Sequence, residues 1–179
     1  DHLRLMGVGI TGFVSWEFQN DKHKMSELRS IVREAGRSMA LDLDMPMPKA
    51  VTTVKPSGTL SKIMDASEGC HKPLGKYILN NINFQASDPL VEKLRAANYR
   101  VFENPYDKTG VIASFPIKWD DIEFDEKDGK LVNLESAVTQ LDRYKFLMDN
   151  WTDHNTSITV SYSPDEIPSI IDWILEDKN

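Results

Sequence analysis

Cysteine is nearly absent from this chain: Cys70 stands alone among 179 residues. An internal disulfide is excluded, and no second cysteine or suitably spaced histidine completes a zinc site. No apolar run approaches the roughly 20 residues that span a bilayer. The opening Asp1-His2-Leu3-Arg4-Leu5-Met6 has no extended apolar segment behind a basic one, so it does not read as a secretory signal. These absences lead to the expectation of a cytoplasmic protein with no membrane partner. Positive charge is also in deficit, with 21 Lys and Arg against 28 Asp and Glu and a net charge of −7. That balance excludes a broad basic face and predicts no direct nucleic-acid partner, while leaving room for a local basic pocket. The acids gather in Asp120-Asp121-Ile122-Glu123-Phe124-Asp125-Glu126-Lys127-Asp128. This run lacks the glycine and glutamate positions of an EF-hand, so it reads as a solvated loop. There is no internal repeat and no low-complexity tract.

What is present is a hydrophobic share of 40%, enough for a packed core, and an alternation of strand and helix patterns. Met25, Leu28, Ile31, Val32, Ala35, Met39 and Leu43 recur at helical spacing and predict an amphipathic helix over 25–43, ended by Met45-Pro46-Met47-Pro48. Tyr77–Phe84, Tyr99–Phe102 and Val111–Ile117 read as strands. Ser87-Asp88-Pro89 opens a helix with Leu90, Val91, Leu94 and Ala97 inside. Asp128-Gly129 is a hairpin turn. Asn133 is expected to cap a helix with Leu134, Val138, Leu141, Met148 and Trp151 inward. Thr156–Tyr162 alternates most cleanly and reads as the clearest strand. Ser163-Pro164-Asp165-Glu166 is a capping box before a helix carrying Ile167, Ile170, Ile171, Ile174 and Leu175. The class is α/β.

Gly7-x-Gly9-x-x-Gly12 matches the dinucleotide fingerprint in pattern only. No second strand ending in an acid follows at the required distance, so these glycines read as close-packing positions. Cys70 beside His71 suggests a nucleophile, but a catalytic pair needs spatial adjacency and an orienting third group, and Cys70 is read as a free, non-catalytic thiol. No catalytic residue and no metal ligand is assigned.

The organising stretch is Val51-Thr52-Thr53-Val54-Lys55-Pro56-Ser57-Gly58-Thr59-Leu60-Ser61. Thr and Val favour a strand, Pro56 ends ladder pairing, and Gly58 lets another group approach the backbone. Thr59–Ala66 then suits a helix with Leu60, Ile63 and Met64 on one side. Unpaired N–H groups at its start, the hydroxyls of Ser57, Thr59 and Ser61, and the charges of Lys55 and Lys62 make a phosphate cradle on chemical grounds. The same few residues also make an ordinary capped turn, which is the simpler reading of this stretch taken alone.

Val51–Ser61, followed by Ala66-Ser67-Glu68-Gly69-Cys70-His71, closely resembles the adenosylcobalamin-dependent (class II) ribonucleotide reductases, above all the monomeric ribonucleoside-triphosphate reductases. The resemblance extends through Gly7–Gly12 and Thr156–Tyr162. It implies that residues 1–179 are a partial catalytic domain, incomplete at both ends, of a ten-stranded α/β barrel. It also implies that Ser57, Gly58, Thr59, Leu60 and Ser61 hold the substrate phosphates. The implied cofactor is adenosylcobalamin, which generates a thiyl radical on a finger-loop cysteine, with a cysteine pair supplying the electrons. The implied partners are a ribonucleotide, a thioredoxin-like reductant, and the remainder of the reductase chain or a complementary subunit. Class I and glycyl-radical reductases share the phosphate turn, but the wording Thr-Thr-Val-Lys-Pro-Ser-Gly-Thr favours class II.

The chain departs from that family in lacking the Asn-x-Cys-x-Glu finger motif and any cysteine pair. It is therefore expected to be inactive alone, as a truncated or split reductase. The alternative is a stand-alone nucleotide-binding or regulatory module. Exposed apolar faces, expected at both ends of the chain, argue against that alternative.

Overall fold

The computed structural model describes residues 4–58 and 60–176. Its elements in chain order are β1 (Leu5–Gly9), α1 (Lys22–Asp42), β2 (Ala50–Thr53), α2 (Leu60–Ile63), β3 (Tyr77–Gln85), α3 (Pro89–Ala96), β4 (Arg100–Glu103), β5 (Gly110–Lys118), β6 (Asp125–Lys127), β7 (Lys130–Val132), α4 (Ala137–Asn150) and α5 (Ile167–Glu176). The chain divides into two compact units, Asp1–Pro73 with Asn133–Asn179, and Leu74–Val132. The mixture of helices and strands agrees with the α/β class.

The first unit is built on a β–α–β crossover. Strands β1 and β2 are parallel, with Leu5 opposite Ala50 and Gly9 opposite Thr53, and α1 connects them, as parallel pairing requires. Asp21 caps α1 by accepting from the Lys24 N–H at 3.0 Å. The buried positions of α1 are Met25, Gly36 and Ala40, with Leu28 and Val32 half-buried. This corrects the expected stripe: Ile31, Met39 and Leu43 are all more than half exposed, and Ala35 is exposed too. The reason is Gly36. A Cβ there would lie 3.5–3.7 Å from Met6, Pro48 and Val51, so the side without a side chain is the one that meets β2. The core of this unit gathers Phe13, Met25, Val54, Cys70, Leu147 and Trp151.

Further expectations are corrected here. Asn133 does not cap α4. Its side chain accepts from the Glu135 N–H in a local turn, and the cap is Ser136, which accepts from Thr139. The inner face of α4 is Ala137, Gln140, Leu147 and Asn150, while Leu134 is exposed. The stretch Thr156–Tyr162 is not a strand. Only Thr156 bridges, in parallel, to Val54, through Val54 N–H to Asn155 O and Ser157 N–H to Val54 O. Beyond Val54 the partner edge ends at Pro56, which has no N–H, so residues 158–162 have no ladder to join. Buried Gln140 substitutes for one rung: its Nε2 donates to Ser161 O, and its Oε1 accepts from the Ser161 N–H, both at 2.9 Å. The capping box is present, with Glu166 accepting from the Ser163 N–H and, through its other oxygen, from Ala137. None of the expected apolar positions of α5 is buried.

The second unit is an antiparallel sheet of order β3-β5-β4, with Tyr77 opposite Lys118 and Gln85 opposite Gly110. Helix α3 starts at Asp88, which accepts from the Leu90 N–H, with Pro89 in the first turn, and it buries Val91 and Leu94. Strands β6 and β7 form a hairpin whose Asp128 and Gly129 both have positive φ, 52° and 70°. This is the turn that an Asp-Gly pair favours.

Candidate phosphate-binding site

The parallel strands β1 and β2 run in one direction, so the loops that follow them emerge at the same end. In open α/β sheets that carboxyl end is where ligands bind. After β1 come Ile10, Thr11, Gly12, Phe13, Ser15 and Trp16, lining a hollow of about 370 Å³. After β2 comes the Lys55–Ser61 turn. The first loop is tied to the residues that follow α2 by the Gly12 N–H, which donates to Ser67 O at 2.9 Å.

Gly7 and Gly9 of β1 and Gly12 of its loop pack against β2 and the residues that follow it. Added Cβ atoms would meet a Thr53 methyl at 3.8 Å from Gly7, the Lys55 stem at 3.6 Å from Gly9, and the Ala66 Cβ at 3.4 Å from Gly12. Gly12 also has φ +74°, a conformation that disfavours any side chain. The segment is thus a packing surface for β2 and its turn, as the absence of a following acid suggests.

In the turn itself Ser57 has φ +50° and is half-buried, while Gly58 is exposed. Thr59, one of the five expected phosphate contacts, lies outside the described residues. The expected helix over 59–66 is a single turn, Leu60–Ile63. It closes when Asp65 takes φ +52° and the Ala66 N–H returns to Ser61 O at 2.9 Å, in the manner of a Schellman ending. Leu60, Ile63 and Met64 are 56%, 78% and 60% exposed, so the expected apolar side faces outward. One turn of helix has little dipole, so the expected dipole contribution is small.

Ser61 differs from its expected role in two respects. Its N–H is committed to Ser57 O at 2.9 Å. Its hydroxyl is fully buried and has no hydrogen-bond partner among the described residues. The Ser67 hydroxyl and His71 Nδ1 are likewise buried without a hydrogen-bond partner among the described residues.

The charges of Lys55 and Lys62 were legible in the sequence, but the carboxylate beside Lys62 was not. A Glu68 carboxylate oxygen lies 3.0 Å from the place a Gly58 Cβ would occupy. The same oxygen is 3.3 Å from Lys62 Nζ, and the other is 3.8 Å from His71 Nε2. Burial lowers the His71 pKa below its usual value, against the pull of Glu68. Gly69 follows with φ +56°, and a Cβ there would press on Ser157 O and His71 at 3.2 Å. Cys70 is fully buried with its Sγ 3.7 Å from Ser157 O. Burial pushes its thiol up to about 11 despite nearby Arg143, and a thiolate, the form that attacks, is disfavoured there.

The turn is held from behind by residues that carry no local signal in the sequence. Asp153 accepts from Arg29 at 2.7 Å, from Arg33, and from the Val51 and Thr52 N–H groups at 3.0 and 3.4 Å. Thr52 Oγ1 donates to Trp151 O, and Trp151 Nε1 donates to Thr53 O at 3.0 Å. The 151–157 segment is therefore fastened to β2 along its length. A polar residue contacting strand backbone at this sequence separation leaves no local periodic signal.

Comparison with known protein families gives no match. Individual proteins do match. The chain is 36% identical over 125 residues to the adenosylcobalamin-dependent ribonucleoside-triphosphate reductase of Levilactobacillus brevis, covering 70% of this chain and 16% of that protein. It is 36% identical over 115 residues to the enzyme of the same name from Lactobacillus leichmannii, covering 64% of this chain and 15% of the relative. For Lacticaseibacillus paracasei the figures are 31% over 149 residues, 83% and 20%. A crystal structure of a B12-dependent (class II) ribonucleotide reductase superposes with a TM-score of 0.72 at 25% identity, over 93% of this chain and 27% of that one. The chain thus spans a fifth or less of the length of these curated relatives. It is a relative, by sequence and by fold, of the adenosylcobalamin-dependent class II ribonucleotide reductases, matched over one part of their length.

Proposed function

We propose that this chain is a segment of an adenosylcobalamin-dependent ribonucleoside-triphosphate reductase, part of a ten-stranded α/β catalytic barrel, and that it holds the phosphates of the ribonucleotide. The observation that carries this reading is the placement of the Lys55–Ser61 turn. It is a glycine-bearing loop at the carboxyl end of parallel strand β2, in a chain whose relatives bear that enzyme's name. Ser57, Gly58, Thr59, Leu60 and Ser61 are the residues assigned to the phosphates. The exposed Gly58 backbone offers the approach, and the Ser61 hydroxyl, buried without a partner among the described residues, is a donor that a small shift of the turn would release. Contacts made through backbone and hydroxyl groups suit a site that accepts several bases, because they do not read the base.

No residue of this chain is assigned to adenosylcobalamin. Among the described residues the apolar cleft between β1 and the end of α1, lined by Leu5, Met6, Met39, Leu43, Met45 and Pro48, holds about 440 Å³. That suits a drug-sized molecule, for which about 300–1,000 Å³ is usual. A corrinoid with its nucleotide tail is larger than this cleft. In the whole enzyme the protein must position a charged nucleotide beside a caged radical, and this segment contributes to the positioning.

The reading predicts a split result. Incubated with a ribonucleoside triphosphate, adenosylcobalamin and a dithiol, the chain alone yields no deoxyribonucleotide. The same segment joined to reductase sequence carrying the radical and redox cysteines yields it. Product from the chain alone, or none from the joined protein with its other parts intact, contradicts the reading.

A further inference from the structure

The space that Gly58 leaves open is already taken, and by an anion. The Glu68 carboxylate sits 3.0 Å from the missing Cβ position and 3.3 Å from Lys62 Nζ, with His71 Nε2 at 3.8 Å from its second oxygen. Lys62 is only 10% exposed, Glu68 is 35% exposed, and His71 is 17% exposed. The carboxylate is thus the most exposed member of the group, and its cation is mostly buried. A phosphate seated on Gly58 would meet this carboxylate at close range, where like charges repel, and both would seek Lys62.

We propose that Glu68 is a displaceable internal anion that selects polyphosphates at this turn, an inference that rests on the phosphate reading of Gly58. An intramolecular carboxylate competes at high effective concentration. A small singly bonded anion such as orthophosphate does not displace it. A triphosphate, with more charge and more contact points, does, and takes over Lys62 as the carboxylate swings to solvent. Gly58 therefore serves two occupants in turn: the carboxylate at rest and the phosphate when bound.

The test is titration of the chain with inorganic tripolyphosphate and, separately, orthophosphate. Glu68→Gln removes the charge and keeps the shape, and is expected to tighten tripolyphosphate at least tenfold and to bring orthophosphate into measurable range. Glu68→Asp keeps the charge on a shorter arm and is expected to fall between wild type and Glu68→Gln, which preserves the test if the glutamine variant folds poorly. Wild-type binding of tripolyphosphate that Glu68→Gln leaves unchanged or weakens overturns the role of Glu68 while sparing the phosphate reading. Failure of wild type and both variants to bind tripolyphosphate overturns the phosphate reading and this inference with it.

Discussion

Gly58→Val is expected to weaken binding of a ribonucleoside triphosphate by about 100-fold or more, about 3 kcal/mol, while leaving folding stability within about 1 kcal/mol. Gly58 is exposed and outside the left-handed region, so valine meets no backbone strain. Its Cβ would stand 3.0 Å from a Glu68 oxygen, the end of a flexible side chain that moves cheaply. The loss therefore falls on the ligand, because a branched side chain fills the face through which phosphate reaches the backbone. Gly58→Ala, adding one methyl, is expected to give a smaller loss. Equilibrium titration of both variants beside urea unfolding separates the two effects. Unchanged affinity in Gly58→Val would remove the turn from the phosphate site.

Asp153→Ala is expected to destabilise the chain by about 2–4 kcal/mol, because it removes the shared partner of two arginines and two strand N–H groups. The Asp153 side chain is 5% exposed. Burial alone would raise its pKa. Arg29, the Val51 and Thr52 N–H groups and Arg33 outweigh it and bring the value to about 2, from 3.8. A carboxylate held below its unfolded value stabilises the fold at pH above about 3.8, and that contribution is lost as pH falls through about 2. It amounts to about 2 kcal/mol by linkage. Urea unfolding between pH 2 and 5 should show a steep fall in wild type and a shallower one in Asp153→Ala. Parallel slopes would mean that Asp153 does not carry the acid sensitivity.

The parts of this structure that were legible in the sequence are those governed by local rules. The Asp128-Gly129 hairpin, the Asp88-Pro89 helix start and the Ser163–Glu166 capping box each depend on a few adjacent residues. Tyr77–Phe84 and its partner strands were readable because the sheet of the second unit pairs neighbouring segments. The misread elements depend on distant partners. Thr156–Tyr162 alternates as well as any strand but has no edge to join beyond the Val54 bridge, where Pro56 has no N–H, and Gln140 supplies a rung instead. The buried side of α1 departs from the expected stripe because Gly36, with no hydrophobic side chain, packs against Met6, Pro48 and Val51.

The candidate site divides in the same way. The Lys55–Ser61 wording pointed to the turn and its family. The Glu68–Lys62 pair beside Gly58 and the Asp153 clamp behind β2 did not show, because each is made by folding. The expected helix beyond the turn was overextended: Asp65 ends it after one turn, which shifts the burden of anion binding from a dipole to individual N–H and hydroxyl groups.

The measurement that bears most directly on the phosphate turn is an amide chemical-shift titration of the chain with a ribonucleoside triphosphate. The account predicts that the largest shifts fall on Gly58, Leu60 and Ser61, with Glu68 following as its carboxylate is displaced, and that Gly58→Val removes them. Saturable shifts centred elsewhere, with Gly58 to Ser61 unmoved, would contradict it.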